Sequence, residues 1–291
     1  MPTHLVWFRA DLRIHDNFAL AAACRAKDAN VLALFIATPE QWQQHDMAPR
    51  QAALLSAYLN DLQHSLAEKG IPLIYKEATD FAAQRQTVQA ICQQHAVTHL
   101  YYNYQYEFNE QQRDRLLEKT LSGVICEGFD DSVMLAPGSV MTGSHEMYKV
   151  FTPFKNAFIK RLKEGLPECV TAPAVRGETI TDLPAMRLNY PQQSFDETVF
   201  PASEKAAIAR LRQFCTQGAA DYEARRDFPA VEGTSRLSAC LALGALSPRQ
   251  CLHRLLAEQP HALDGGAGAV WLNELIWREF YRHLMTYHPD L

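Results

Sequence analysis

The sequence predicts an α/β domain followed by a helical region. In the first 130 residues, five short apolar runs alternate with helical patterns, which is typical of parallel strands joined by crossover helices. Residues 131–204 contain seven prolines and so predict a long, irregular connection with one short helix. From residue 205 onward, the spacing of apolar residues is helical throughout,.

Five strands are predicted, at residues 5–8, 31–37, 72–75, 99–104 and 124–129. The run 31–37 is continuously apolar, which is typical of a strand covered on both faces of a parallel sheet. We therefore expect a doubly wound, five-stranded, Rossmann-like sheet. No GxGxxG motif follows the first strand, so a dinucleotide held in the usual cradle is not expected.

Helices are predicted between these strands and throughout the second half. Asp16 is placed to cap the first helix, and Gly70 follows the end of the helix at 49–69,. The predicted domains are an α/β domain at 1–130, the connection at 131–204 and a helical domain at 205–291. The predicted helices span residues 17–27, 49–69, 81–95, 109–120, 154–163, 205–217, 221–226, 237–243, 248–258 and 267–287.

Composition excludes several classes of protein. An apolar fraction of 47% and a net charge of −5 exclude a disordered chain. No apolar run approaches the roughly 20 residues of a membrane span, so no membrane association is expected. Seven scattered cysteines without a CxxC pair indicate reduced thiols in a cytoplasmic protein. Eleven histidines form no HExxH motif, and we expect no metal site.

Five basic side chains cluster around the helix predicted in the connection. We interpret them as a solvated helix face, which is the usual meaning of such a run. They are Lys149, Lys155, Lys160, Arg161 and Lys163.

The segment Gly-Thr-Ser-Arg-Leu-Ser at residues 233–238 lies just before an apolar helical run. Free backbone N–H groups at a helix start, together with hydroxyls and an arginine, suit an anion. The alternative is that Thr234 or Ser235 caps the helix. The segment alone leaves both interpretations open.

The last helix carries a second group of chemically distinctive residues. Trp271, Glu274 and Arg278 are spaced to share one helix face, with Trp277 beside them,. Indole surface, a carboxylate and a guanidinium suit a flat, polar, charged ligand. The alternative is a core helix with a Glu274–Arg278 surface ion pair.

Two further stretches, WFRADLRIHDN at 7–17 and YNYQYEFNE at 102–110, complete a recognisable set with residues 232–250 and 271–284. Together they closely resemble the photolyase/cryptochrome family along the whole chain. Within that family, the resemblance is to the bacterial, folate-type members that repair cyclobutane pyrimidine dimers.

This resemblance implies two cofactors. The α/β domain would hold a 5,10-methenyltetrahydrofolate antenna, with Asn109 and Glu110 matching folate contacts and His45 lying against the same ligand. The helical domain would hold FAD. The residues that match flavin contacts are Tyr222, Thr234, Ser235, Arg236, Leu237, Ser238, Trp271 and Arg278.

The resemblance also implies a substrate. Glu274 and Trp277 match residues that meet the pyrimidine dimer in catalysis, and Arg226 matches a basic residue on the DNA-facing surface. The activity implied is light-dependent repair of dimer-containing DNA by electron transfer from reduced FAD, with no obligate protein partner. Family members continue well beyond position 291, so we expect a truncated chain, an incomplete helical domain and a fragment unable to act alone.

Three other functions are considered. A cryptochrome-type blue-light photoreceptor would share the fold and FAD, but Glu274 and Trp277 favour repair. A folate-binding α/β module would lack photochemistry, and the flavin absorbance of the purified chain separates it from both photoactive alternatives. A nucleotide-binding transferase is disfavoured by the absent phosphate-loop glycines.

Overall fold

The predicted five-stranded parallel sheet is confirmed in the computed structural model, which describes residues 1–288. Its strand order is β3-β2-β1-β4-β5, and all four neighbouring pairs are parallel. The order reverses between β1 and β4. The strands are β1 (Thr3–Phe8), β2 (Asn30–Ala37), β3 (Leu73–Glu77), β4 (Val97–Asn103) and β5 (Ile125–Phe129).

The helices follow the predicted pattern, apart from one additional helix and shifts of up to four residues at helix ends. The helix Pro39–Gln44 was not predicted because it buries no residue and so has no apolar periodicity. The first helix ends at Ala23, four residues early. The helices are α1 (Phe18–Ala23), α2 (Pro39–Gln44), α3 (Pro49–Ala67), α4 (Phe81–Gln94), α5 (Phe108–Thr120), α6 (Phe151–Glu164), α7 (Glu204–Gln217), α8 (Tyr222–Arg225), α9 (Ser238–Ala242), α10 (Pro248–Glu258) and α11 (Ala269–Tyr287), with a 3-10 turn at Ala262–Asp264.

The predicted cap of α1 is wrong. Asn17 caps this helix, its side chain accepting a hydrogen bond from the backbone N–H of Leu20. Asp16 has a left-handed backbone with φ of 52°, and its carboxylate accepts hydrogen bonds from Ser247 and Arg249 at the start of α10. The buried carboxylate of Asp16 is compensated by the buried guanidinium of Arg249. The helix cap needs only a neutral hydrogen-bond acceptor, which Asn17 provides.

Asp16 belongs to a buried ion quartet with Arg13, Asp131 and Arg249, each at most 1% exposed. Arg13 Nη2 lies 2.5 Å from Asp131 Oδ2. Arg249 bridges the two carboxylates, with Nε 3.0 Å from Asp16 Oδ2 and Nη2 2.9 Å from Asp131 Oδ1. The quartet joins the segment after β1, the segment after β5 and the start of α10.

Gly244 brings the end of α9 against the segment that follows β1. Its φ is +67°, and a Cβ built there would overlap the carbonyl oxygen of Ala10. The N–H of Leu12 donates to the carbonyl of Leu243 over 3.1 Å, and Arg13 Nη1 donates to the carbonyl of Gly244 over 2.9 Å. The helical region therefore abuts the carboxyl end of β1 at backbone distance.

The sheet has a hydrophobic cluster on each face. One contains Trp7, Leu34 and Tyr102 under α4 and α5. The other starts from Phe8 in β1 and continues without a break to Ile276 in α11. Because one core cluster crosses both predicted domain boundaries, the limits 1–130, 131–204 and 205–291 stay a prediction.

The quartet gives a test of what holds the two regions together. Arg249→Met should lower the free energy of unfolding by about 3–5 kcal/mol, because it leaves buried carboxylates without their shared cation. Urea denaturation measures the change. The control is Arg161→Met, which breaks an exposed pair with Glu164 and should cost about 0.5 kcal/mol or less. Equal small effects of both substitutions would contradict a structural role for the quartet.

Candidate functional site

A cleft of about 480 Å³ opens at the carboxyl edge of the sheet. Its walls include Phe35 of β2, Trp42 of α2, Arg9 after β1 and Gln105 after β4. This is the edge of the sheet at which open α/β proteins bind ligands. The cleft is therefore the first candidate for a ligand site.

The three residues that the resemblance assigns to folate line this one cleft. His45 is the C-terminal cap of α2, the helix that sequence periodicity did not reveal. Asn109 and Glu110 lie in the first turn of α5. Burial is the largest influence on Glu110 and raises the pKa of its carboxyl. The cleft thus offers an imidazole, an amide and a partly desolvated carboxylate.

Two guanidinium groups in the cleft share one carboxylate. Arg9 Nη1 lies 3.0 Å and Arg113 Nη2 lies 2.7 Å from Asp114 Oδ1. Both also lie over the buried Trp7 ring, at 4.7 and 4.6 Å from its centroid. Burial, and then the nearby Arg9, lower the pKa of Arg113 to about 10. The two guanidinium groups are thus both paired with Asp114, and Glu107 and Glu110 line the same cleft; sequence reasoning missed this cluster because no local pattern pairs Arg9 with Asp114.

The crevice between β1 and β4 is filled by the protein's own polar groups. Asn103 Nδ2 donates to Asp11 Oδ2 over 2.7 Å and to Asn17 Oδ1 over 3.0 Å. Burial raises the pKa of the Asp11 carboxyl. In nucleotide-binding sheets a phosphate occupies this position. Polar side chains fill that position in this protein, which is consistent with the absence of a glycine-rich loop after β1.

The predicted flavin residues are more dispersed. Trp271 is 3% exposed and packs against Phe214 with ring centroids 5.0 Å apart. Arg278 Nη1 donates to the carbonyl of Ser132 over 2.7 Å. Burial, and then the neighbouring Arg282, lower the pKa of Arg278 to about 10. Both side chains thus make contacts within the protein.

The predicted flavin residues at 234–238 lie in a separate segment, just before and at the start of α9. Neither Thr234 nor Ser235 is the N-cap of α9, which follows Leu237 without a side-chain cap and is five residues long. Arg236 Nη2 lies 2.5 Å from the exposed carboxylate of Glu232. The capping alternative is therefore wrong, and the short helix gives little dipole to support an anion.

Ser238 lines an apolar cavity of about 460 Å³ together with Phe195 and Phe200 from the connection. Of the eight predicted flavin residues, this cavity contains only Ser238.

Glu274 forms an ion pair with Arg226 and not with Arg278. Arg226 Nη1 lies 2.5 Å from Glu274 Oε1, and the Arg226 guanidinium lies 5.7 Å from the centroid of the Tyr222 ring. The Glu274–Arg278 surface pair of the alternative interpretation is wrong, because Arg278 is directed into the protein toward Ser132. The structure thus brings Arg226, Glu274 and Tyr222 together at the surface.

The half-buried Trp277 stacks on an aromatic ring from α6. The centroids of Phe151 and Trp277 are 3.5 Å apart, with planes 8° from parallel. Tyr281, 55% exposed, lies 5.8 Å from Trp277. Sequence reasoning missed Phe151 because it is distant along the chain, and only tertiary packing reveals the contact.

The buried face of α11 carries two titratable groups. Glu279 Oε2 accepts a hydrogen bond from the N–H of Met134 over 2.7 Å, and burial raises the pKa of Glu279 to about 7. His283 Nε2 donates to the carbonyl of Leu135 over 2.9 Å, and burial lowers the pKa of His283 to about 4. These groups fasten α11 to the segment after β5.

Within residues 1–288, no group of three or more His, Cys, Asp or Glu side chains is placed to hold a metal ion. The described helices also include none with the length and apolar character needed to cross a membrane.

A parallel sheet with a lateral cleft at its carboxyl edge, packed against a helical region, defines a Rossmann-like α/β protein with a candidate ligand site. A sequence model of the family described as DNA photolyase matches residues 4–174. The chain belongs to the DNA photolyase family.

Three comparisons illustrate the relationship. The chain is 71% identical to the deoxyribodipyrimidine photo-lyase of Salmonella typhimurium and 69% identical to that of Escherichia coli, covering 100% of this chain and 62% of each relative. Its structure matches a cryptochrome from Synechocystis with a TM-score of 0.85 and 25% identity, over 100% of this chain and 62% of that one. The chain thus spans about three fifths of the length of these curated relatives.

The pKa of Glu279 is raised and that of His283 is lowered, which predicts that the two groups change the stability of the protein in opposite directions as the pH rises. The native state binds an extra proton at Glu279, so its contribution to stability is lost as the pH rises from about 4.5 to 7,. The native state releases a proton at His283, so its contribution is lost as the pH falls from about 6.5 to 4,. Each contribution is up to roughly 3 kcal/mol, and between pH 4.5 and 6.5 the two offset each other.

Glu279→Gln should therefore gain stability relative to the wild type as the pH rises through this range, and His283→Gln should lose it. Urea unfolding at pH 5, 6, 7 and 8 measures both differences. Identical pH profiles for the wild type and both variants would show that neither group titrates between folded and unfolded states.

Proposed function

We propose that the chain forms the antenna-binding part of a deoxyribodipyrimidine photo-lyase, which repairs cyclobutane pyrimidine dimers in DNA in a light-dependent reaction. The observation that carries this proposal is the single cleft that contains His45, Asn109 and Glu110. The names of two similar relatives support the same reaction. Seven free cysteines agree with a reducing, cytoplasmic location.

The cleft suits 5,10-methenyltetrahydrofolate. Its volume is within the range of small-molecule sites, and Phe35 and Trp42 provide flat apolar surface. A carboxylate such as Glu110 accepts hydrogen bonds from the ring N–H donors of a pterin.

We further propose that the helical region supplies one side of an FAD site and of the DNA surface. When bound, reduced FAD supplies the electron that opens the cyclobutane ring, and folate supplies absorbed light energy. Glu274 and Trp277 would contact the extruded dimer, since enzymes that act on bases take them out of the stack. The residues that would contact FAD are Tyr222, Thr234, Ser235, Arg236, Leu237, Ser238, Trp271 and Arg278.

A blue-light photoreceptor is a second candidate, because a cryptochrome shares the fold. The combination of Arg226, Glu274 and the half-buried Trp277 favours repair, since it offers a phosphate-binding cation, a hydrogen-bond acceptor and an aromatic ring,. A receptor that does not handle damaged bases has no need of this combination.

The folate proposal predicts a specific loss of affinity. Glu110→Gln should weaken binding of 5,10-methenyltetrahydrofolate by roughly 10- to 150-fold, because it removes a hydrogen bond to a charged group worth about 1.5–3 kcal/mol. Titration followed by the absorption of the bound ligand measures the dissociation constant. Gln112→Ala, an exposed change on the same helix outside the cleft, is the control. Equal affinities for the wild type, Glu110→Gln and Asn109→Ala would refute the site.

The DNA proposal predicts different behaviour for two residues. Trp277→Ala should lower the ratio of affinities for dimer-containing and intact DNA, since base–aromatic stacking contributes about 1–3 kcal/mol per base. Arg226→Ala should lower both affinities together and reduce the salt slope by about 0.9, as expected for one phosphate contact.

Affinities of both variants for both DNAs at two salt concentrations distinguish these effects. An unchanged damaged-to-intact ratio in Trp277→Ala would remove the dimer-facing role from that residue.

A further inference from the structure

The cleft at the carboxyl edge of the sheet contains a carboxylate without a close partner among residues 1–288. Glu107 lines this cleft, and its side chain is 44% exposed. It occupies the N-cap position of α5 but makes no capping hydrogen bond. Within this part of the chain, the one basic side chain in ion-pair reach is Arg282 of α11, whose Nη1 lies 4.0 Å from Glu107 Oε1. The Glu107 carboxylate is therefore available to a ligand.

The arginines and the other glutamate that line the cleft differ from Glu107. Arg9 and Arg113 are both paired with Asp114, and their side chains are only 7% and 2% exposed. Glu110 accepts hydrogen bonds from the pterin ring in the proposed complex. The positive charge of the cleft is thus compensated and buried, whereas the negative charge of Glu107 is accessible.

The backbone that carries Glu107 is held on both sides. The preceding residue, Tyr106, is 4% exposed, and its hydroxyl donates to Asp130 Oδ1 over 2.7 Å. In the first turn of α5, the carbonyl of Glu107 accepts a hydrogen bond from the N–H of Gln111 over 2.9 Å. A carboxylate presented from a fixed backbone loses only side-chain entropy when it pairs with a ligand.

The proposed ligand carries a positive charge that most reduced folates lack. In 5,10-methenyltetrahydrofolate, the one-carbon bridge is an amidinium-type cation. In 5-formyltetrahydrofolate, which forms from it by addition of one water and release of one proton, the same carbon belongs to a neutral formamide. A nearby carboxylate in a partly desolvated cleft stabilises the cation and gives no comparable stabilisation to the formamide.

We infer that Glu107 determines which form of folate the cleft accepts, because its carboxylate pairs with the cationic bridge of 5,10-methenyltetrahydrofolate. The inference rests on the proposed folate site and adds a specificity-determining residue to it. Glu110 recognises the pterin ring, which all folates share, whereas Glu107 distinguishes the state of the one-carbon unit. Arg282 competes with the ligand for the same carboxylate and so limits the preference.

The test uses the whole chain, with 5,10-methenyltetrahydrofolate and 5-formyltetrahydrofolate as probes. Glu107→Gln should weaken binding of the cationic folate by roughly fivefold, the equivalent of about 1 kcal/mol for a partly exposed ion pair. Binding of the neutral folate should change by less than about twofold, because glutamine keeps a hydrogen-bonding group at this position. Titration calorimetry in a mildly acidic buffer, in which the methenyl bridge resists hydrolysis, measures both dissociation constants.

Two further variants separate a local ion pair from other effects. Glu40→Gln removes the same charge from an exposed position of α2 outside the cleft and should leave the ratio of the two affinities nearly unchanged. Arg282→Gln removes the competing cation and should shift this ratio in the opposite direction, toward the cationic folate. A variant that merely disturbed the fold would weaken both ligands and would not produce such a rise.

The outcomes distinguish the inference from the folate site itself. If the wild type binds both folates and Glu107→Gln leaves the ratio of their affinities unchanged, the site stands and the role of Glu107 is overturned. An equal loss of affinity for both folates would overturn it as well, since the charge of the bridge would then play no part. If the wild-type chain binds neither folate, the proposed folate site fails and the inference fails with it.

Discussion

Two arginines and two aspartates, removed from water, connect the sheet to the helices. Each charge in the quartet of Arg13, Asp16, Asp131 and Arg249 would be costly alone and is compensated only when its partners are present. The partners come from three distant parts of the chain, so none is satisfied until the others arrive. The quartet therefore ties formation of the helical contact to completion of the sheet, and it fixes the segments that follow β1 and β5.

This constraint also shapes the ligand site. The segment after β1 leads from the cleft to the quartet: Arg9 faces the cleft, Asp11 closes the crevice with Asn103, and Arg13 enters the quartet. With the crevice filled from within, the open volume lies to one side, between α2 and α5. In other proteins this fold binds nucleotide phosphates in the crevice itself; here the open volume is a lateral cleft lined by both arginine and glutamate side chains.

Local sequence patterns predicted the five strands and most helices, because apolar periodicity reports which face of an element is buried. They failed to predict α2, because this helix buries no residue. They also misassigned Asp16, because its ion-pair partner lies far along the chain in α10. The resemblance placed His45, Asn109 and Glu110 on one ligand, and the fold brings them to one cleft, although their roles stay predictions. Arg113 and Phe151 could not be found from sequence, since each acts through a contact made only in three dimensions.

The close approach at Gly244 has a consequence for how this protein can be rebuilt. The α/β half has its own sheet and cleft and could be taken for an independent unit. However, its loop after β1 contacts Gly244, just after α9, so closely that no side chain fits between the two backbones. A chimera that exchanged only the first 130 residues would place a foreign loop against Gly244 and a foreign residue opposite Arg249. Transplanting the cleft into another scaffold therefore requires moving the loop after β1, the turn containing Gly244 and the start of α10 as one unit.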